Sequence, residues 1–386
     1  MRKEAVIIDA VRTPLCRSKN GVLRHVRAEN MSAQIIDALF ERTGVDPEET
    51  DEVIWGCANQ TGEQSFNIAR FISLQTDIPH EATALTVNRL CGSSLEAIIA
   101  AARRIMLDEG SVYVCGGVEH MGHVPMTEGF DINPSYSLNC AMAGMHMGMT
   151  AEYLSMAHEV SRAEQDDFAL RSFELARNAD FSDEIIPIRG HDSKGIPTWI
   201  TEDNMGIHAA NTTLETLSAL KPAFVPGVGT VTAGNSSAIS DGASALLVMS
   251  SSKAEQLGLA PLAKIVSWGV AGVNPSIMGY APVPATELAL KRAHLNIDNI
   301  DVIELNEAFA AQAIPVLRDL GLMDDFEDKV NLKGGAIALG HPLGCSGARI
   351  ATTLVHLLKT NDAHKVGLAT MCIGMGQGIA AVFEGI

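Results

Sequence analysis

Apolar residues in this chain fall into short continuous runs, separated by longer stretches in which they recur every three or four positions. The runs Glu4-Ala5-Val6-Ile7-Ile8-Asp9, Glu52 to Trp55, Ala84 to Val87, Ser111 to Gly116 and Val366 to Thr370 read as strands. The stretches Ser32 to Thr43, Ser94 to Leu107, Arg162 to Asn178 and Ala348 to Leu358 carry helical spacing. Strands and helices in alternation predict a layered α/β sheet.

The pattern also repeats. Gly44-Val45-Asp46-Pro47-Glu48-Glu49-Thr50-Asp51-Glu52-Val53-Ile54 is echoed by Leu295 to Ile303, and Val87-Asn88 ahead of Cys91-Gly92-Ser93 by Val330-Asn331 ahead of Gly344-Cys345-Ser346-Gly347. Tyr113-Val114-Cys115-Gly116 resembles Ala369 to Cys372, and Asp241 to Val248 resembles Gln377 to Val382. Four echoes in one order predict two copies of an α/β unit rather than a solenoid. The long interval between Gly116 and Gly242 has no counterpart near the carboxyl end, so an insertion interrupts the first copy. The expected division is residues 1–118 plus 240–260 for the first half, 119–239 for an inserted loop domain and 261–386 for the second half. Long insertions in compact domains often form lids or binding loops.

Composition narrows the function. With 386 residues, 47% of them hydrophobic, the chain can bury a large core. A formal net charge of −18 argues against nucleic-acid binding, and an anionic substrate would need a local basic pocket. The amino-terminal apolar run is too short for a secretory signal or a membrane span. Seven cysteines, an odd number with no CxxC pair, suggest neither a disulfide framework nor a structural zinc site. A cytoplasmic location is therefore expected.

Four segments carry candidate chemistry. Cys91 lies in Asn88-Arg89-Leu90-Cys91-Gly92-Ser93-Ser94, between a predicted strand and a predicted helix, where the helix N-terminus would favour thiolate. His341 sits in Gly340-His341-Pro342-Leu343-Gly344-Cys345-Ser346-Gly347, held between glycine and proline as a positioned base would be. Cys372 precedes Gly374-Met375-Gly376-Gln377-Gly378, whose glycines would let backbone N–H groups approach a reacting oxygen. The spacing fits neither a P-loop nor a dinucleotide fingerprint. Asn306, in Glu304-Leu305-Asn306-Glu307-Ala308-Phe309, could donate to an oxyanion, while Glu307 is either an orienting carboxylate or a helix-start charge. Taken singly, a cysteine such as Cys91 is more often a small buried hydrophobe, and His341 could equally be a structural loop residue.

Together, and in this order, these motifs resemble the thiolase family over essentially the whole chain, beginning at Asp9-Ala10-Val11-Arg12-Thr13-Pro14. The segment Gly117 to Met126 is most similar to the bacterial branch that degrades 3-ketoacyl-CoA in fatty-acid β-oxidation. The resemblance implies a five-layered α-β-α-β-α fold with two mixed five-stranded sheets. It implies that His341 helps deprotonate Cys91, that Cys91 takes up the acyl group, and that Cys372 exchanges protons with acetyl-CoA and CoA. One oxyanion site would be His341 with a water held by Asn306, the other the backbone N–H groups of Cys91 and Gly374. Coenzyme A would be a co-substrate, with no permanently bound cofactor, and its contacts would fall on His146, Met147, Ala233, Gly234, Ser237 and Phe309. A homodimer is implied, joined by a hydratase/dehydrogenase α-subunit in an α2β2 complex. Cys16 departs from the family, where glycine is usual. Glu119-His120-x-x-His123 has metal-ligand residue types, but a structural role is expected and no metal. Met142, Met145, Met147 and Met149 are expected to line an acyl channel.

Two alternatives keep the same residues in view: a biosynthetic acetoacetyl-CoA thiolase with a narrower pocket, and a non-catalytic thiolase-like lipid-binding protein. The second would be expected to lack part of the Cys/His/Cys/Asn set. A β-ketoacyl synthase fits less well, because it uses a second histidine where Cys372 stands.

Overall fold

The computed structural model describes residues 3–192, 194–204, 211–361 and 363–386. Its strands are β1 (Ala5–Arg12), β2 (Cys16–Arg17), β3 (Glu52–Gly56), β4 (Thr83–Val87), β5 (Val112–His120), β6 (Ile188–His191), β7 (Pro197–Ile200), β8 (Ser240–Ser250), β9 (Ala263–Gly272), β10 (Val302–Leu305), β11 (Val366–Ile373) and β12 (Gln377–Gly385). The main sheet runs β10-β11-β12-β9-β1-β8-β5-β3-β4, with β2 on β8. Parallel pairs (β3 with β4 and β5, β10 with β11) mix with antiparallel ones.

Alternating side chains divide the core into layers, as a period of two requires. Ile54 points into a central core while Val53 and Trp55 point outward; on β12, Ile379 and Ala381 face the centre and Ala380 and Val382 face away. The centre holds the helices Ser93–Met106 and Ser346–Thr360. The second is buried from Ser346 through Leu358, consistent with apolar and small residues around its circumference. The amphipathic helix Ala28–Thr43 covers the outer face of the first half with Met31, Ile35, Ile36, Leu39 and Phe40, and ends at Gly44 in the left-handed region (φ 69°). Pro282–Ala293 and Ala310–Asp319 cover the second half. Helix, sheet, helix, sheet, helix gives the expected five layers.

The strand count differs in detail from two sheets of five. The first half supplies β4, β3, β5, β8 and β1, but the second supplies only β9, β12, β11 and β10, with an isolated parallel bridge Ile303–Val330 in fifth place. A two-residue ladder, Val6 with Lys264 and Ile7 with Ala263, joins the halves into one sheet. The repeat extends to hydrogen bonds. Asp51 Oδ2 accepts from the N–H groups of Ser111 and Val112, and Asp301 Oδ2 from those of Lys365 and Val366.

Between β5 and β8 lie the helices Met147–Ala157, Arg162–Asn178 and Leu214–Ser218 and the β6–β7 hairpin. The Arg162–Asn178 helix has the expected limits, and a Ser161/Glu164 capping box closes its start. This segment is tied back to β1 by the fully buried Arg12, which pairs with Glu184 at 2.6 Å and Asp203 at 2.7 Å.

Candidate active site

The N-termini of the two central helices meet back to back. Ala348 N–H donates to Ser94 Oγ at 2.8 Å, and a side chain on Gly347 would come within 2.5 Å of the Leu95 nitrogen. This contact packs the turn that carries Cys91 beside the loop that carries His341.

Cys91 sits just ahead of the Ser93–Met106 helix, which Gly92 caps. The turn is strained: Leu90 has φ 46°, unusual for a leucine, and is held by its N–H to Asn88 Oδ1 at 2.9 Å and its carbonyl to Ser93 Oγ at 2.6 Å. Burial opposes the pull of the helix terminus on this thiol. Desolvation pushes the Cys91 thiol up to about 11, against the backbone N–H groups of Gly374 and Cys91, which favour thiolate. Cys91 therefore needs a base.

His341 is buried, and its N–H donates to the Ala238 carbonyl at 3.1 Å. Ser346 Oγ donates to the Pro342 carbonyl at 2.9 Å, so at 2.5 Å from His341 Nδ1 it has only lone pairs to offer. The imidazole proton is thereby placed on Nδ1, and Nε2 is left with its lone pair. Asn306 Nδ2 lies 3.5 Å from that Nε2, and Asn306 Oδ1 is buried with no protein partner. Burial, and secondarily Arg349, lowers the His341 pKa to about 3, keeping the ring neutral.

Cys372 ends buried near the tip of β11, where burial and then the neighbouring Cys91 raise its pKa far above the ordinary thiol value. It belongs to an apolar cluster with Ala308, Phe309, Ala311, Ala151, Val231 and Met278, against which Met147 packs. Met147 also reaches toward Gly374: a β-carbon there would be 4.0 Å from its sulfur.

Of the expected coenzyme A contacts, Met147 and Phe309 thus converge beside Cys372. Ser237 N–H donates to the Ala308 carbonyl at 3.0 Å. His146 is exposed at the start of the Met147–Ala157 helix, Ala233 is exposed, and Gly234 packs instead against Leu217 and Leu220. The methionines separate: Met147 is at the site, Met142 is exposed, and Met149 lines an outer groove of about 500 Å³ with Tyr153 and Ile277. The rings of His120 and His123 stack at 3.6 Å, while their nitrogens bond to other groups, His120 to the Leu23 carbonyl and Asp241, His123 to the Arg24 carbonyl and Glu63.

Glu307 proves to be an orienting carboxylate. It accepts from Ser172 Oγ at 2.6 Å, Asn331 Nδ2 at 2.8 Å and Ile337 N–H at 3.2 Å, anchoring the loop that leads to His341. Two residues escaped the sequence reading. Ser346 lay inside the quoted His341 motif. Phe224 meets Phe309 edge-on at 6.0 Å and lies over Gly148, where any side chain would collide with its ring at 2.3 Å. Only that glycine, next to Met147, hinted at it.

Known proteins match this chain over its whole length. The model of the thiolase N-terminal domain matches residues 5–252 and that of the thiolase C-terminal domain residues 259–385. A 3-ketoacyl-CoA thiolase from Marinomonas sp. is 58% identical over 99% of this chain and 98% of its own length. One from Marinobacter nauticus is 57% identical over 100% and 99%. Among solved structures, human mitochondrial 3-ketoacyl-CoA thiolase superposes with a TM-score of 0.90 at 38% identity, covering 100% of this chain and 99% of that one. An acetyl-CoA acetyltransferase from Bacillus anthracis gives 0.89 at 37%, with the same coverage.

Proposed function

The chain belongs to the thiolase family, and from that premise we propose that it is an acyltransferase that cleaves 3-ketoacyl-CoA with CoA, giving acetyl-CoA and an acyl-CoA two carbons shorter. The observation that carries this reading is the hydrogen-bond chain from Pro342 through Ser346 to His341, which leaves Nε2 with its lone pair as the base that the thiol chemistry needs.

In the first stage Cys91 gives its proton to His341 Nε2 and its sulfur attacks the 3-keto carbon. The C2–C3 bond breaks, its electron pair stays on C2 of acetyl-CoA, and the Cys372 thiol protonates that carbanion. In the second stage the Cys372 thiolate takes the proton of the CoA thiol. The CoA sulfur then attacks acyl-Cys91, and Cys91 leaves and recovers its proton from His341. The high thiol pKa of Cys372 suits it to hold a proton until a carbanion forms. His341 with an Asn306-held water, and the N–H groups of Cys91 and Gly374, are the assigned oxyanion donors. Each such donor contributes about 3 kcal/mol in well-studied cases. The inserted segment 119–239 is assigned to coenzyme A binding, with Met147, Phe309 and Phe224 flanking the pantetheine.

Degradation in fatty-acid β-oxidation and a cytoplasmic location are part of the same proposal. The similarity to the curated 3-ketoacyl-CoA thiolases supports the first, and seven cysteines without a disulfide fit the second. No helix among the described residues is long and apolar enough to cross a membrane. The unpaired edge of β4, with Phe66 at 86% exposure and Phe71 and Leu74 at 47%, supports a second copy of this chain as a homodimer partner. The α2β2 assembly with a hydratase/dehydrogenase α-subunit rests on the sequence resemblance. Thiolysis assays with 3-ketoacyl-CoA of four to sixteen carbons test the proposal. Cleavage of medium and long chains supports it, activity confined to acetoacetyl-CoA selects the biosynthetic alternative, and no activity returns the lipid-binding reading.

A further inference from the structure

Glu119 is almost completely buried near the end of β5, where its carboxylate accepts from four N–H donors and, more weakly, from the Cys57 thiol at 4.0 Å from Oε1. Its Oε2 accepts from Ala58 N–H at 2.9 Å and Gly344 N–H at 2.8 Å; its Oε1 accepts from Asn59 N–H at 3.1 Å and Gln64 Nε2 at 2.7 Å. Burial raises the Glu119 pKa, and these donors oppose it by favouring the carboxylate.

The segments joined at Oε2 are the two that carry the reacting groups. Ala58 passes the connection on through its carbonyl, which accepts from Asn88 Nδ2 at 2.9 Å, and Asn88 Oδ1 in turn holds Leu90 N–H at 2.9 Å, one residue before Cys91. Gly344 lies three residues beyond His341 in the second half of the molecule. The junction has no slack. A β-carbon on Gly344 would stand 2.8 Å from Glu119 Oε2, from the Ala58 nitrogen and from the Cys57 α-carbon. Close packing of this kind passes displacements on rather than absorbing them.

We infer that Glu119 is a positioning residue for acyl transfer, its Oε2 holding the Cys91 turn and the His341 loop in register across the two halves. The inference rests on the thiolase reading given above and adds a residue to it. A carboxylate is required because four N–H donors, with the Cys57 thiol beside them, converge on two oxygens. The amide of a glutamine would set its own N–H₂ against two of them in either orientation.

The test is Glu119→Gln in the full chain, assayed by thiolysis and by single-turnover acylation of Cys91. Misplacement of reacting groups by about 1 Å costs about a hundredfold in rate, so kcat should fall by about 10- to 100-fold with KM for CoA within about twofold. Alkylation by iodoacetamide separates positioning from general disruption. The Glu119 charge opposes the Cys91 thiolate, so its loss should make alkylation faster at fixed pH while acyl transfer becomes slower. Asn88→Ala, at an exposed position, should show the same kcat-only loss, and the double variant should lose less than the product of the two. If Glu119→Gln does not fold, Asn88→Ala decides alone. The inference is overturned if folded Glu119→Gln keeps kcat within about threefold, if alkylation slows in step with acyl transfer, if the double variant is additive, or if Asn88→Ala alone leaves kcat unchanged. A wild-type chain with no thiolysis would overturn the functional reading and this inference with it.

Discussion

His341 Nδ1 lies 2.5 Å from Ser346 Oγ, and the serine proton is already committed to the Pro342 carbonyl. The residue that fixes the tautomer of the base is therefore five positions along the same loop. Ser346→Ala removes that choice and should lower kcat by about 10- to 100-fold with little change in KM, as expected when a base loses its orientation rather than its substrate. Steady-state thiolysis with varied 3-ketoacyl-CoA measures both constants.

The protonation states give a pH signature. With the Cys91 thiol at about 11 and His341 at about 3, free enzyme holds a neutral thiol and a neutral imidazole from pH 5 to 9. Alkylation of Cys91 by iodoacetamide should rise by about tenfold per pH unit across this range, because only thiolate reacts. An inflection near pH 6.5 would mean that a thiolate–imidazolium pair exists before substrate binds.

Cys372→Ala should separate binding from proton transfer. Cys372 lies in an apolar cluster with Ala308 and Phe309, against which Met147 packs. Turnover should drop by at least about a hundredfold, in line with loss of a general acid, while the affinity for CoA stays within about threefold. Calorimetry with CoA and rate measurements on the same preparation check the two halves of this expectation.

Phe224 should act on binding instead. Phe224→Ala removes the edge-on contact to Phe309 and uncovers Gly148. An aromatic pair of this kind contributes about 0.5–1.5 kcal/mol, so KM for CoA should rise by about three- to tenfold with kcat nearly constant. A change confined to kcat would remove Phe224 from the pantetheine path.

The repeat and the places of the helices were legible because they depend on local pattern, although the first helix begins at Ala28, ahead of the expected Ser32. Asp51 and Asp301 occupy matching places in the echoed segments and do the same work on matching strands. The fifth strand of the second half was not foreseeable. Val330 retains the sequence echo of Val87, but its neighbours form a single bridge where Thr83–Val87 forms a strand. The high pKa of the Cys91 thiol was not legible, because dipole and backbone N–H groups are visible in a motif, whereas the desolvation that outweighs them comes from distant elements. Glu119 was read only against a metal role. Its partners Ala58, Asn59 and Gln64 come from the connection after β3 and Gly344 from the second half of the molecule, and no spacing links these to Glu119.

The account turns on Cys91 as the residue that carries the acyl group. Acid quench of the wild-type chain during turnover of a medium-chain 3-ketoacyl-CoA without added CoA, followed by peptide mass analysis, tests this most directly. The predicted result is the mass of the shortened acyl group on the peptide containing Cys91, absent from Cys91→Ala. Turnover with the acyl group on Cys372, or thiolysis retained by Cys91→Ala, would contradict it.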